Sequence, residues 1–489
     1  MDERGIERSS AMGTESLTGL ILRFSLPGIV GMVANALYNI VDRIFVGRAV
    51  DPMGIGAIAV GFPFMMLVIA FSTLIGVGAG SLVSISLGER RRSRAERAMG
   101  NALLLLAGGG VLATVVGSLF IEEILTLSGV TPTLMPMARE YLGIVVWGIP
   151  LSALGFGLNY FIRAEGSPRF AMFGLVLGAV MNILLDALFI FTFRMGIGGA
   201  ALATVLSQGI TALWSAWYYL ARMGELRFRP RNLIPSPDVL GRIFAVGLAP
   251  FLTELSFTFV LILFNRLLRR YGGDMAVSAM GIFFSLDSLF FLPVLGLAGG
   301  VQPIIGYNFG ARNYERVIRA VKIALVLAAL FLGGSFLVVQ TAPELLVRLF
   351  TTRDPELVRV TARWFRMAYA CVVFASVNYV ASYAFQAMGK AKIAIFMSLS
   401  RHLFFIFLPL IVLPPIFGTD GVWLSFSLSD VGGGLMGAWL LRREFRRLRA
   451  MTPEKGPSDP PQASVPSFSR IIAEESGLPK DDGQPAPRS

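Results

Sequence analysis

The chain has 489 residues, of which 55% are hydrophobic and only 15% are charged, and its mean hydropathy is +0.68. This composition excludes a soluble domain, because the surface of such a domain needs more charge. The net charge of +12 falls in loops between apolar segments, which indicates membrane topology and contact with anionic lipid rather than binding of nucleic acid.

Apolar segments of membrane-spanning length recur along the chain. About 20 helical residues cross the roughly 30 Å of hydrocarbon in a bilayer. The sequence predicts twelve such spans, numbered in chain order, at 18–46, 56–87, 98–120, 140–162, 170–193, 200–221, 239–268, 276–308, 320–340, 357–385, 393–413 and 422–441. We therefore expect an all-α polytopic membrane protein with twelve transmembrane helices.

The two halves of the chain repeat each other at an offset of about 222 to 223 residues. The matched pairs include Pro27 and Pro250, Asp42 and Asn265, Gly88 and Gly310, and Gly196 and Gly418. Because each repeat holds an even number of spans, both repeats run in the same direction through the membrane. This pattern predicts two six-helix lobes related by an axis along the membrane normal, the usual build of a secondary transporter.

The repeat and the composition divide the chain into five predicted regions. These are an N-terminal segment at 1–17, a first lobe at 18–221, a linker at 222–238, a second lobe at 239–445 and a tail at 446–489. The tail is rich in Pro, Ser, Asp and Lys, so it has too little apolar surface to fold, and we expect it to be disordered.

Basic loops follow the even-numbered spans, and short basic loops are retained on the cytoplasmic side. Their basic residues include Arg90, Arg91, Arg92, Arg94 and Arg97 after span two, and Arg163, Arg222, Arg312, Lys390 and Arg442 after later spans. We therefore expect a multi-pass protein of a bacterial or archaeal cytoplasmic membrane with both termini cytoplasmic. Arg266, Arg269 and Arg270 depart from this pattern, because the topology places them outside.

The sequence carries no signature of an enzyme or of an ATP-driven pump. It has no Gly-x4-Gly-Lys-Ser/Thr loop, no His-Glu-x-x-His metal motif and a single histidine. We expect no catalytic residues, no cofactor and no resident metal. The informative residues are acids inside the spans, each of which costs about 2.5 to 3.5 kcal/mol at mid-bilayer.

Two of these acids lie in the first lobe, Asp42 in span one and Asp186 in span five. Tyr38 and Asn182 lie one helical turn before them on the same faces. Thr204 in span six reaches the same depth in the outer half of the bundle. These side chains predict a site for a proton or for a small hard cation such as Na⁺. The alternative is that Asp42 pairs with Arg43 or Arg48 and that Asp186 hydrogen-bonds Asn182.

The second lobe has its own acids within spans, Glu254, Asp287 and Asp430. They are candidates to balance the charge of a cationic substrate in the central path. Phenylalanines surround Asp287 in the sequence at positions Phe283, Phe284, Phe290 and Phe291. The alternative is a structural ion pair between one of these acids and Arg401. We expect His402 to be a polar packing residue.

Pro27 lies within span one, where it removes an intrahelical hydrogen bond and favours a kink. Flexing at this position would open or close a pocket that contains Asp42. A static kink is the alternative.

Several motifs resemble the multidrug and toxic compound extrusion (MATE) transporters, above all the prokaryotic DinF/MepA-like branch. They are Leu26-Pro-Gly-Ile-Val, Tyr38-Asn-Ile-Val-Asp-Arg-Ile-Phe-Val-Gly-Arg, Arg163-Ala-Glu-Gly-Ser-Pro-Arg, Asn182-Ile-Leu-Leu-Asp and Gln302-Pro-Ile-Ile-Gly-Tyr-Asn-Phe-Gly-Ala. The resemblance covers residues 18 to 445. It implies a V-shaped cleft between two lobes and export of organic cations in exchange for protons or sodium.

The resemblance also implies functional positions. Those that this chain matches are Pro27, Tyr38, Asp42, Tyr141, Asn182, Asp186 and Thr204, and we add Tyr141 to the candidate cleft residues. The chain differs from the NorM-like branch, whose span-seven acid lies further along the helix, where this chain has residues around Thr258 rather than Glu254.

These observations favour a monomeric antiporter that exports small organic cations by alternating access. One alternative is a flippase for lipid-linked saccharides of the same superfamily, which needs a strongly cationic central cavity to hold pyrophosphate. The buried charges here are at least as much acidic as basic. A membrane receptor or scaffold is a further alternative, which the duplication and the buried aspartates disfavour.

Overall fold

The computed structural model describes residues 10–49, 52–349 and 354–451, and this part of the chain is helical without strands. The spans of the first lobe are the helices Leu17–Ala49, Pro52–Gly88, Arg92–Leu119, Met135–Ala164, Pro168–Asp186 (continued by the π-helical segment Ala187–Thr192) and Gly196–Leu220. The spans of the second lobe begin with Pro237–Gly310, Tyr314–Thr341 and the pair Pro355–Tyr369 and Val372–Ala387. Span eleven consists of Ala391–Leu399, the π-helical segment Ser400–Phe407, Leu408–Val412 and Pro414–Phe417, and the last span is Thr419–Ala450. Short helices lie between them at Ile121–Leu127, Pro230–Leu233 and Pro343–Arg348.

The twelve predicted spans are all present as helices. Among the described residues, nine helices are long and apolar enough to cross a membrane, and Pro237–Gly310, with 74 residues, accounts for spans seven and eight. Gly273 breaks that helix with φ 61° and ψ −158°, a conformation open only to glycine. Span ten is a pair of helices bent by 52°, and the 32-residue helix Thr419–Ala450 is span twelve.

One boundary differs from the sequence prediction. The last helix continues to Ala450, so residues 446–450, assigned above to the tail, belong to span twelve. The remaining tail at 452–489 and residues 1–9 lie outside the described residues. Span one continues through Pro27 as one helix from Leu17 to Ala49.

The lobes meet closely at the end of the bundle where spans two and eight finish, at Gly88 and Gly310. We call this the basic end, because the basic loops lie there. Gly78 of span two packs on the main chain of Ile243 in span seven, and a Cβ at Gly300 would lie 2.7 Å from the Cα of Ser25 in span one. Such approaches require glycine, so small residues hold the lobes together at the basic end.

The start of the described chain packs on the second lobe rather than on its own lobe. Met12 is fully buried in the second-lobe core. The Asn308 side chain donates a hydrogen bond of 2.8 Å to the Met12 carbonyl, and Arg316 donates one of 2.8 Å to the Glu15 carbonyl. The segment before span one therefore adds a further contact between the lobes at the basic end.

Candidate functional site

The first-lobe acids lie together between spans one, four, five and six. Asp186 and Asn182 are 0% and 1% exposed, and Asp42 is 7% exposed. Asp42 and Asp186 interact electrostatically across the helix interface. Tyr141 of span four interacts electrostatically with Asp42 and Asp186, and it also interacts with the Thr204 side chain. The structure thus brings together side chains that the sequence placed at one depth on separate helices.

The polar side-chain atoms of Asn182 and Asp186 lie buried at the centre of this group. Within the described part of the chain, neither the amide atoms of Asn182 nor the two carboxylate oxygens of Asp186 have a hydrogen-bond partner. A buried polar group left unsatisfied costs about 1 to 3 kcal/mol, and a charged one costs more. The alternative hydrogen bond between Asp186 and Asn182 is therefore not formed. The side chains of Arg43 and Arg48 lie outside those that are described, so the alternative pairing of Asp42 is not tested.

Helix geometry explains how Asn182 and Asp186 reach the same point. They are four residues apart in the helix Pro168–Asp186, so they share one face. The helix changes to π geometry immediately afterwards, at Ala187–Thr192. Turns of this kind occur often at functional sites, because they alter the register of the following side chains. Span eleven also contains a π-helical segment, Ser400–Phe407.

A cavity of about 470 Å³ lies beside the acids within the first lobe. Tyr38 lines the cavity and also interacts electrostatically with Tyr141, so it connects the cavity with the acids. Other lining residues are Asn35, Phe62, Met65, Met66, Ser72, Ser152, Phe156, Ser207, Gln208 and Thr211. Aromatic rings and flexible methionines with a few hydroxyl and amide groups suit an amphipathic organic ligand.

Two of the second-lobe acids, Asp287 and Asp430, both lie near Arg401, but each is bonded to a different side chain. Asp430 pairs with Arg401, whose Nη2 lies 3.4 Å from the Asp430 Oδ1. The same guanidinium lies 4.4 Å from the centre of the Tyr379 ring. Asp287 accepts a hydrogen bond of 2.7 Å from the Tyr369 hydroxyl. For Asp430, the structure therefore supports the ion pair with Arg401 over the alternative role of balancing the charge of a substrate.

The aromatic residues near Asp287 mostly belong to the packed core of the second lobe. The Phe283 ring lies 4.9 Å from that of Trp423, and the Phe290 ring lies 5.8 Å from that of Tyr369. His402 is buried, with Nδ1 2.9 Å from the Ser398 carbonyl oxygen, as expected of a polar packing residue.

Glu254 belongs to a group between the lobes, which we call the central cluster: Tyr160, Arg163, Glu254 and Tyr383. The Arg163 guanidinium lies 4.3 Å from the centre of the Tyr160 ring. Glu254 interacts electrostatically with Tyr160 and with Tyr383. A cavity of about 220 Å³ joins Tyr160 and Arg163 to Pro27.

Sequence reasoning missed three members of the central cluster. Arg163 was counted as a loop residue, but it lies in the last turn of the helix Met135–Ala164. Tyr160 and Tyr383 are separated by the repeat offset, 223 residues. That offset was the signal that could have found them.

Comparison with known proteins gives the same duplication. A family model described as MatE matches residues 27–188 and again residues 250–411, and both boundaries of the second match lie 223 residues after those of the first. The chain belongs to the MATE family. It is therefore a multi-pass membrane transporter and not an enzyme.

Individual relatives of the MATE family extend over most of the chain. The chain is 27% identical to the multidrug export protein MepA of Staphylococcus aureus strain N315 over 411 residues, which cover 84% of this chain and 90% of MepA. A crystal structure of MATE in the bent conformation superposes with a TM-score of 0.85 at 25% identity, covering 91% of this chain and 98% of that one. An outward-facing multidrug resistance MATE transporter also gives a TM-score of 0.85 at 25% identity, covering 91% and 99% of the two chains. These similarities confirm the predicted fold and family.

Proposed function

We propose that this protein exports organic, mostly cationic, amphipathic compounds across the cytoplasmic membrane in exchange for protons or sodium, by alternating access. The observation that carries the proposal is the buried pair Asp42 and Asp186 beside the cavity of about 470 Å³. The similarity to MepA, named as a multidrug export protein, supports a broad substrate range. The basic end would face the cytoplasm, with both termini on that side.

The chemistry of the pair suits a coupling site. Two carboxylates that interact in a buried place repel each other and lose hydration, so a proton or a cation relieves both effects. For Na⁺, the oxygens of Asp42, Asp186, Asn182 and Thr204 are suitable ligands. Tyr38 lines the cavity and interacts electrostatically with Tyr141, which in turn interacts with both acids, so ion binding would alter the cavity that holds the substrate.

The exchange follows from this link. With the acids ionised, the first lobe is negative and attracts a cationic substrate. Binding of the coupling ion neutralises part of that charge and weakens the attraction, so the substrate is released. Pro27 lines the cavity that leads to the central cluster. Movement at Pro27 would therefore change the connection between the central cluster and the first-lobe site.

Energetics limit the stoichiometry. One proton exchanged for one monovalent cation moves no net charge, so the exchange uses only the pH difference, about 1.4 kcal/mol per pH unit. Use of the membrane potential, about 2.3 kcal/mol per charge per 100 mV, requires a neutral substrate or an additional ion.

The flippase alternative has less support. Such a protein needs uncompensated cationic groups in the central path to hold pyrophosphate. Arg163 shares the central cluster with Glu254, and Arg401 pairs with Asp430. Arg401 is therefore not an uncompensated cation, and an acid lies in the same cluster as Arg163.

The test is efflux of a fluorescent lipophilic cation from proteoliposomes under an imposed pH gradient or sodium gradient. We expect gradient-driven efflux by the native protein and its loss in Asp42→Asn. Asp274→Asn is the matched control, because Asp274 is exposed in the turn between spans seven and eight. Efflux that persists in Asp42→Asn would move coupling to Glu254 or Asp287. No efflux at all by the native protein would favour the flippase.

A further inference from the structure

A second large cavity lies at the basic end of the first lobe, away from the acids. Its volume is about 650 Å³. Its apolar wall includes Leu103 of span three, Leu158 of span four and Leu220 of span six. Its opposite rim is formed by the segment after span six, which supplies Arg222, Arg227 and Arg229. The cavity shares no lining residue with the first-lobe site.

The charge of the rim is only partly balanced within the protein. Arg229 lies 3.4 Å from the Oε2 of Glu96, and the Arg227 main-chain N–H donates to the Oε1 of the same carboxylate. The Glu96 carboxylate is thus shared between Arg229 and Arg92, whose Nε lies 3.2 Å from its Oε1. Among the described residues, the buried Nη1 of Arg227 has no hydrogen-bond partner. Guanidinium N–H groups form strong, charge-assisted and often bidentate hydrogen bonds with phosphate oxygens.

The rim is fixed to the first lobe, so the cavity is a built feature. The Asn101 side chain donates to the carbonyls of Asn232 and Ile234 at 2.9 and 3.0 Å and accepts from the Ser236 N–H at 2.7 Å. The Leu226 N–H donates to the Oε2 of Glu165 at 3.0 Å. These bonds secure both ends of the segment that carries the arginines.

The position of the cavity selects the kind of anion. Span six ends at Leu220, so the arginines follow the apolar part of the helix at the depth of lipid headgroups. Leu220 is 76% exposed and continues the apolar wall towards the bilayer. A cationic rim over an apolar wall is complementary to a molecule with a phosphate and a hydrocarbon chain.

We propose that this cavity binds an anionic phospholipid of the leaflet at the basic end, with its phosphate on Arg227 and Arg222 and an acyl chain against Leu103 and Leu220. The site does not depend on the transport proposal, because it uses none of the same residues. Since residues 221–236 connect the two lobes, the bound lipid would hold the start of this connection on the first lobe.

The test is native mass spectrometry and thermal unfolding of the full chain in detergent. The probes are phosphatidylglycerol, phosphatidylcholine with the same acyl chains, and inorganic phosphate. We expect phosphatidylglycerol to bind and raise the unfolding temperature, phosphatidylcholine to do so much more weakly, and inorganic phosphate to have no effect. Arg227→Gln should weaken phosphatidylglycerol binding about tenfold, the change expected for loss of a charge-assisted phosphate contact.

Arg446→Gln is the matched control, because it removes the same charge from an exposed position of span twelve that does not line the cavity. It should leave binding unchanged. Arg222→Gln gives an independent variant if Arg227→Gln does not fold. Equal effects of the two lipids, or binding that both cavity variants leave intact, would overturn the proposal. Equal stabilisation by inorganic phosphate would show a site for free anions instead.

Discussion

Gly88 and Gly310 occupy equivalent positions in the two repeats, and each lies directly against the main chain of the opposite lobe. A Cβ at Gly88 would overlap the carbonyl oxygen of Tyr307, and one at Gly310 would overlap that of Ile85. The duplication therefore places the same close approach on both sides of the interface. Any transition that separates the lobes at the basic end has to break both contacts.

A side chain at either glycine should push the lobes apart at the basic end. We expect Gly310→Ala to shift the population towards a state open at that end, because overpacking of a closed contact costs about 1 to 3 kcal/mol. Spin labels at positions Arg97 and Arg319, exposed and equivalent in the two repeats, would report longer distances in a Cys371→Ser background. Gly108→Ala is the control, because a Cβ at Gly108 meets no atom within 4 Å. Unchanged distances in Gly310→Ala would show that this contact does not control opening.

Glu165 should make stability depend on pH. It lies just after span four, and burial raises its pKa from the ordinary 4.5 to about 7. The folded state disfavours the charged form of this carboxyl. The free energy of unfolding therefore falls as pH rises from 4.5 to 7, and it stays at the lower value above pH 7. Glu165→Gln keeps an acceptor for the Leu226 N–H but cannot ionise. Its unfolding free energy should match that of the native protein at pH 4.5 and exceed it by up to about 3 kcal/mol at pH 8.

Thermal unfolding in detergent from pH 4.5 to 8 measures this difference. Glu123→Gln is the matched control, because it also replaces a carboxyl by an amide but at an exposed position on the opposite side of the bundle. A constant difference between Glu165→Gln and the native protein over this range would contradict the shifted pKa of Glu165.

Asp186→Asn should remove function without removing stability. Neither carboxylate oxygen of Asp186 has a hydrogen-bond partner among the described residues, so the neutral amide loses no protein contact and avoids a buried charge. We expect gradient-driven efflux to fall at least about tenfold, which corresponds to about 1.4 kcal/mol, while the unfolding temperature stays equal or rises. A large drop in unfolding temperature would indicate a structural role for this carboxylate.

Asp430→Asn, in contrast, should lower the free energy of unfolding. It leaves the Arg401 side chain, which is 13% exposed, without its partner carboxylate, and breaking a buried ion pair costs about 3 to 5 kcal/mol. The double variant Arg401→Gln with Asp430→Asn should recover much of this loss, because no unpaired charge remains. A double variant that is no more stable than Asp430→Asn would show that the pair contributes little.

The sequence by itself determined the features that depend on order and composition along the chain. Spans are set by apolar length, the lobes by the 223-residue offset, and the shared face of Asn182 and Asp186 by helical spacing. The depth of Asp42, Asp186 and Thr204 in their spans was also sufficient to expect them together, and the structure places them in one group.

Only the tertiary structure decided which of several candidate partners meet. Arg401 lies near more than one acid. Helix packing pairs Arg401 with Asp430, whereas Asp287 accepts a hydrogen bond from Tyr369. The central cluster and the cavity of about 650 Å³ at the basic end likewise combine residues that are distant in sequence. The reason is that helical periodicity fixes which side chains share a face, whereas the rotation and approach of one helix against another depend on the packing of all of their side chains, here on glycines such as Gly88 and Gly310 that permit main-chain contact.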